Sequence, residues 1–231
     1  MQDVTFPHSM SKRNLLDAAE QLFADRGFES VSVRDITTLA KANVAAVNYH
    51  FGSRPGLIAL VVTRYISPVN EERLAKLDKL ERSYPGKAVP LEEVIDAFVR
   101  PLIGAVRKSE LSERLFYKLI GRIFAMQGDG IPPATKDQIQ VLSDRFIRAF
   151  GKSLPSLDEE ELVWRIHFMI GGMIHMLMQE DLLHQMSHGA SGRPSMETIV
   201  VRFVRFAAAG LREGVEDGSV TKKGPQATFD F

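Results

Sequence analysis

The sequence contains no cysteine. That absence removes disulfide scaffolds, thiolate metal sites and thiol nucleophiles together, and it fits a reducing compartment. A charge excess is missing as well: 29 Lys and Arg stand against 29 Asp and Glu in 231 residues. As a bulk value, zero net charge argues against a polyanion-binding protein. Long apolar runs are also lacking. The most apolar stretch, Leu162 to Met178, is interrupted by Arg165, His167 and His175 and falls short of the roughly 20 residues that a bilayer span needs. The opening residues, MQDVTFPHSM, have neither a basic start nor an apolar run. No secretory signal and no membrane partner are expected, and the location expected is the cytoplasm.

Catalytic signatures are equally scarce. No nucleophile elbow, phosphate loop, His-Glu metal pair or paired-carboxylate motif occurs. Glu159, Glu160 and Glu161 read as the start of a helix, where acidic residues suit the macrodipole. Glu180, His184 and His188 recur every four residues, but His188 falls past the expected helix end, so the group reads as a solvated terminus. The chain is not expected to be an enzyme, and no cofactor or metal is expected.

What is present is helical periodicity. Apolar residues make up 45% of the chain and recur at three-to-four spacing nearly everywhere. Leu15, Leu16, Ala19, Leu22 and Phe23 mark a first helix from Ser11, with Gly27 as its stop. Ser32 and Asp35 form an acidic capping box before a short helix carrying Ile36 and Leu39. A second short helix is expected at about 44–50. Ser53 caps the next, which Pro68 is expected to kink or break.

Further helices are expected at 91–108 and 112–125. Two more are expected behind capping boxes at Thr135–Gln138 and Ser156–Glu159, the latter running almost 30 residues to Met186, and a last one at about 196–213. The fold class is therefore all-α, with about nine helices. Residues 1–54 form an N-terminal three-helix domain with a flexible arm at 1–10. Residues 55–214 form a larger helical domain, to which the resemblance described below assigns effector binding and dimerisation, and 215–231 a flexible tail.

The second and third helices are separated by only Lys41 to Asn43, which is helix-turn-helix spacing. The third reads Val44, Ala45, Ala46, Val47, Asn48, Tyr49, His50. Small Ala45 and Ala46 let a backbone approach base edges, and Asn48, Tyr49 and His50 add hydrogen-bonding groups. Arg34, Lys41 and Arg54 flank it, and residues 32–56 hold three cations against the single Asp35.

These residues carry a resemblance. The segment 43–57, NVAAVNYHFGSRPGL, resembles the signature of the TetR family of transcriptional regulators, whose recognition helix ends in Tyr-x-Phe. Ala18–Ala19, Leu22–Phe23, Gly27–Phe28 and Ser32–Ile36 resemble the family's first two helices, so the match covers about residues 12–58. The resemblance implies that Asn43, Val44, Ala45 and Ala46 face base edges, and that Tyr49 and His50 meet the phosphate backbone or adjacent bases. It places Arg54 where the family has a phosphate-binding lysine, and Phe51 and Leu57 in the domain's packing. Two positions depart from the pattern: Lys41 stands where the turn usually has glycine, and Pro55 where glutamate is usual.

The resemblance also implies that the later helices dimerise and bind a small effector. Independently, the long helix is apolar almost all round between Ile166 and Met178, which suits an interface. Gly171, Gly172, Val201, Val204 and Ala208 are the expected dimer contacts. Phe116, Phe124, Trp164, His167, Phe168, Met173 and His175 are the expected effector-pocket residues, and their character suggests a lipophilic or aromatic effector. The expected function is a homodimeric repressor that binds a palindromic operator in double-stranded DNA and is released by the effector. The alternative is a helical protein-interaction adaptor that does not bind DNA.

Overall fold

The computed structural model describes residues 8–126, 131–178 and 180–214. Among them are ten α-helices and no strand: α1 His8–Arg26, α2 Val33–Leu39, α3 Val44–Phe51, α4 Arg54–Ser83, α5 Leu91–Val106, α6 Glu113–Phe124, α7 Pro133–Ser153, α8 Glu159–Met178, α9 Glu180–Met186 and α10 Met196–Arg212. The all-α class is as expected. The helix count exceeds the expectation by one, because the long helix anticipated from 157 to 186 is described as α8 and α9 on either side of residue 179, which lies outside the described residues. Helix α1 begins three residues earlier than anticipated and takes in residues 8–10 of the expected arm. The rest of that arm and the tail lie outside the described residues.

The N-terminal unit forms because its caps and its apolar residues agree. Ser32 and Asp35 make the expected capping box: the Asp35 N–H donates to Ser32 Oγ at 3.2 Å, and the Ser32 N–H donates to Asp35 Oδ2 at 2.8 Å. Hydrogen bonds from the Ser32 hydroxyl and backbone hold the Asp35 carboxyl below its ordinary range. Leu15, Ala19, Phe23, Ile36, Val47 and Leu57 are fully buried and join α1 to α4 around one small core.

Two expected caps differ. Helix α7 starts behind Pro132, so Thr135 lies buried in its first turn instead of capping it. At α8 the cap is Asp158, whose carboxylate accepts from the Glu161 N–H at 2.8 Å, rather than Ser156. Helix α7 thus starts without a side-chain cap, whereas at α8 Asp158, one residue before the helix, reaches the free N–H groups.

Helix α4 runs 30 residues without a break, despite Pro68. Its N-terminal part packs on α1 and α3, and its later part packs on α5 and α7. Tyr65 on α4 donates to the buried Glu20 of α1 at 2.6 Å, with Arg64 Nη1 at 3.1 Å from the same carboxylate. Burial raises the pKa of Glu20, and burial together with the Glu20 hydrogen bond raises that of Tyr65. Helix α6 lies on the other side of α1, joined by Lys118 to Asp25 at 3.2 Å.

Helix α10 is tied to α5 at both ends. Arg212 pairs with Glu92 at 2.5 Å and Arg100 with Glu197 at 2.7 Å. Arg165 of α8 donates to the Leu211 and Glu213 carbonyls at 3.1 and 2.6 Å, placing a cation at the C-terminus of α10.

Two glycines test this packing. A Cβ on Gly56 would run into the Phe51 carbonyl oxygen, whereas one on Gly104, inside α5, meets nothing within 4 Å. Gly56→Ala should therefore lower stability by more than about 1 kcal/mol, roughly 2–4 °C of Tm or beyond. Gly104→Ala should raise it by about 0.5–1 kcal/mol. Thermal denaturation followed by circular dichroism checks both signs.

Candidate nucleic-acid interface and effector cavity

Helix α3 is held as a rigid presenter. Asn43 caps it by accepting the Ala45 N–H at 2.9 Å, and Val47 is fully buried beneath it. Val44, Ala45, Asn48 and Tyr49 share the outward side, and Tyr49 is 74% exposed. Arg34 and Lys41 are exposed beside this stripe, whereas Ala46 and His50 are half-buried at its edge. Lys41 adopts φ 51°, the left-handed turn conformation in which glycine is at home. The turn geometry is thus kept at a strain of about 1 kcal/mol.

Arg54 does not join the outward cations. Its guanidinium turns inward, where Nε donates to the Val31 carbonyl at 3.1 Å and Nη2 to that of Phe28. These carbonyls lie in the loop before α2, where no helix supplies an N–H donor, so the arginine completes the loop and fastens it to the start of α4. Asn43 likewise has its side-chain oxygen committed to the cap.

The expected effector residues scatter. Trp164, His167 and Phe168 lie on the outer side of α8, with the Trp164 and Phe168 rings 5.9 Å apart. Met173 and Phe116 are core residues, and Phe116 stacks edge-on to Tyr65. His175 faces a surface groove between α8 and α10 beside Phe206. Phe124 alone among them borders the cavity of about 200 Å³ that lies among α4, α5, α6, α7 and α8. An all-round apolar helix such as α8 gives no phase from sequence, so its inward and outward residues are not separable there.

The cavity has apolar walls, including Ile66, Phe98, Ile123 and Phe146, and a polar end formed by Asn70, Arg73 and Thr135. Arg73 is fully enclosed by α4 and α5. Its Nε donates to the Phe98 carbonyl at 2.7 Å, Nη1 donates to Asn70 Oδ1 at 3.2 Å, and its Cζ sits 4.1 Å from the Phe98 ring centre. Among the described residues no carboxylate pairs with it. Burial lowers its pKa to about 9, which leaves it a cation at neutral pH. Among the described residues, Arg73 Nη2, Asn70 Nδ2 and Thr135 Oγ1 have no hydrogen-bond partner. A signal for the first two is present in the sequence. Asn70 and Arg73 continue the three-to-four series of Ile66 and Val69 toward Leu77, so they are polar residues on an apolar stripe.

The expected dimer contacts also divide. Val204 and Ala208 are buried inside the subunit, and a Cβ on Gly172 would touch the Phe203 ring at 3.5 Å. They face inward because α10 turns that side to α5 and α8. Gly171 and Val201 remain outward, next to the 76%-exposed Phe206.

A helix-turn-helix unit mounted on a larger helical body with a cavity defines a class of DNA-binding regulator. Comparison with known proteins agrees. The profile of "Bacterial regulatory proteins, tetR family" matches residues 15–61, and that of "Tetracyclin repressor-like, C-terminal domain" matches residues 96–210. The chain belongs to the TetR family of transcriptional regulators, and the family's members are DNA-binding proteins rather than enzymes.

The HTH-type transcriptional repressor NicS of Pseudomonas putida is 28% identical over 127 residues, which cover 52% of this chain and 58% of that protein. The probable HTH-type transcriptional regulator YttP of Bacillus subtilis is 34% identical over 55 residues, 24% of this chain and 27% of that one. Neither match reaches two thirds of the relative's length. Among solved structures, a TetR-like regulator from a Rhodococcus species superposes with a TM-score of 0.56 at 21% identity, covering 90% of this chain and 99% of the other. NalD of Pseudomonas aeruginosa gives 0.57 at 14% identity, covering 87% and 95%. These two likenesses concern the fold.

Arg54 and Lys41 separate structural cations from outward ones. Arg54→Ala should lower stability by about 1–3 kcal/mol by orphaning the Phe28 and Val31 carbonyls. Lys41→Gly should raise stability by up to about 1 kcal/mol by relieving the turn. Chemical denaturation of the two variants against the parent reads both effects.

Proposed function

We propose that the protein is a homodimeric repressor that binds a palindromic operator through α3 and is released by a small effector held in the cavity. The observation that carries this reading is the continuity of α4, which borders the cavity at Ile66, Asn70 and Arg73 and supports α3 at Leu57. A ligand that repositions α4 repositions the recognition helix with it.

The proposed DNA contacts are Val44, Ala45, Asn48 and Tyr49 on the outward stripe, with Arg34, Lys41 and His50 around it. Asn43 and Ala46 serve chiefly to cap and seat the helix. The effector domain shares α4 with the DNA-binding unit, so the boundary near residue 54 marks a change of partners along one helix rather than a linker.

Dimerisation is supported by what α8 and α10 leave outward. Trp164, Phe168, Val201 and Phe206 form apolar surface on neighbouring helices, bordered by Arg202 and Arg205. An apolar centre with a polar rim is the composition of a protein interface. In a two-fold dimer the two α3 helices reach successive major grooves when they stand about 34–36 Å apart. An effector acts by moving that spacing away from the one that fits.

Fluorescence anisotropy with a duplex taken from upstream of the protein's own gene tests this. Tyr49→Ala should weaken binding roughly 10-fold or more with little change in Tm. Lys41→Ala should make the log–log salt slope shallower by about 0.9 for each phosphate that the lysine neutralises. Phe206→Glu should yield monomers in sedimentation velocity and lose operator binding. Equal affinity for a scrambled duplex, or an absence of salt-dependent binding, would favour the protein-interaction adaptor instead.

A further inference from the structure

The three partnerless polar atoms of the described subunit core that lie away from the Glu20 cluster all belong to residues that line one cavity. Arg73 Nη2, Asn70 Nδ2 and Thr135 Oγ1 stand at its polar end, on residues that are each at least nine-tenths buried. Native interiors rarely leave such groups unmet, and a group of them aimed into one space is met by whatever occupies it. Two of the three are N–H donors and one belongs to a guanidinium, so the missing partner accepts hydrogen bonds and carries negative charge.

Water alone does not fit this site well. About 200 Å³ accommodates several waters, each wanting two to four polar partners, and most of the lining is aliphatic or aromatic. A phosphate does not fit either. One cation with two further hydrogen-bonding groups leaves a dianion under-neutralised where desolvation is costly. A carboxylate has two acceptor oxygens and one charge, and that matches the polar end. The cavity volume suits a small remainder of the ligand. It exceeds the roughly 150 Å³ that holds a benzene ring and is below the roughly 300 Å³ of pockets for drug-sized ligands.

We propose that the effector is a small monocarboxylate with a single ring or short alkyl body, its carboxylate bound by Arg73, Asn70 and Thr135 and its body against Ile66, Phe98 and Phe146. The proposal rests on the effector-release reading above and specifies its ligand. Arg73 is also the means of response: its Nε is bonded to α5 through Phe98, and its Nη1 to Asn70 one turn earlier on α4. An anion drawing on Nη2 therefore acts on the contact between α4 and α5 directly.

Full-length protein titrated calorimetrically with benzoate against benzamide, and hexanoate against hexanamide, tests the head group. Each acid should bind about 10-fold or more tightly than its amide, and only the acids should raise Tm appreciably. Arg73→Met removes the buried charge at similar volume, so it should hold or raise the ligand-free Tm while losing the preference for acids. Arg73→Gln, which keeps a donor for the Phe98 carbonyl, reads the same loss should the methionine variant not fold. Amides binding as well as acids, no binding by any probe, or a preference that survives both substitutions would overturn the proposal.

Operator release is measured separately by anisotropy. A carboxylate that binds the wild-type protein through Arg73 without releasing the operator sinks the effector reading and leaves the anion site standing. Release by neutral compounds alone does the reverse.

Discussion

The molecule depends on one uninterrupted helix having two sets of neighbours. At its first turn, Arg54 fastens α4 to the loop that leads into α2. About three turns on, Tyr65 bonds Glu20 of α1 in a buried setting. Two turns beyond that, Arg73 is clamped to the Phe98 carbonyl of α5. Each attachment is a directional hydrogen bond, and the hydrogen-bonded ladder of the helix links them. The DNA-binding unit consequently has no independent orientation: where α4 points, α3 points. Helix α6 reinforces this, since it touches α1 with one side and borders the cavity with its last turn through Ile123 and Phe124.

The N-terminal unit is legible in the sequence because its information is local. Ser32 and Asp35 are three residues apart, Asn43 caps the helix that follows it, and Gly27 and Gly52 stop helices within their own segments. Arg54 is not legible in this way. Its partners, Phe28 and Val31, are more than twenty residues away, and a cation between two helices looks the same whether it faces water or carbonyls. In α8 apolar residues on every side erase the period that would set its phase, so Trp164 and Phe168 resemble pocket residues although they face outward. In α10 the expected contacts Val204 and Ala208 belong to the subunit's own core. The polar end of the cavity is the reverse case. Asn70 and Arg73 interrupt an apolar stripe visibly, but Thr135 joins them only through packing of α7, and its spacing to Gln138 suits a cap equally well.

Zero net charge also takes on a definite meaning. Many cations are consumed inside the subunit: Arg100 and Arg212 tie α5 to α10, Arg145 ties α7 to Asp78 and Glu81 of α4, and Arg64 serves Glu20. Partly exposed pairs of this kind each contribute modestly, up to about 1 kcal/mol. Their larger effect is to set these cations against acids within the subunit, where both count toward the neutral total without reaching the DNA-binding face. Arg34 and Lys41, at the outward face of the helix-turn-helix, are in no ion pair among the described residues. A neutral total is therefore compatible with a locally positive face, and the strain accepted at Lys41 keeps one of those few charges in position.

Pro68 gives the shared helix a weak point. Having no N–H, it leaves the Arg64 carbonyl without its helical donor, one rung missing between the Glu20 attachment and the polar end of the cavity. Bending there stretches no bond at that rung. Fourteen residues separate Pro68 from Arg54, roughly 20 Å of helix, so a deflection of about 5° at the proline displaces the first turn of α4 by about 2 Å. The same proline that a rigid rod would exclude makes a small change at the cavity geometrically large at the far end.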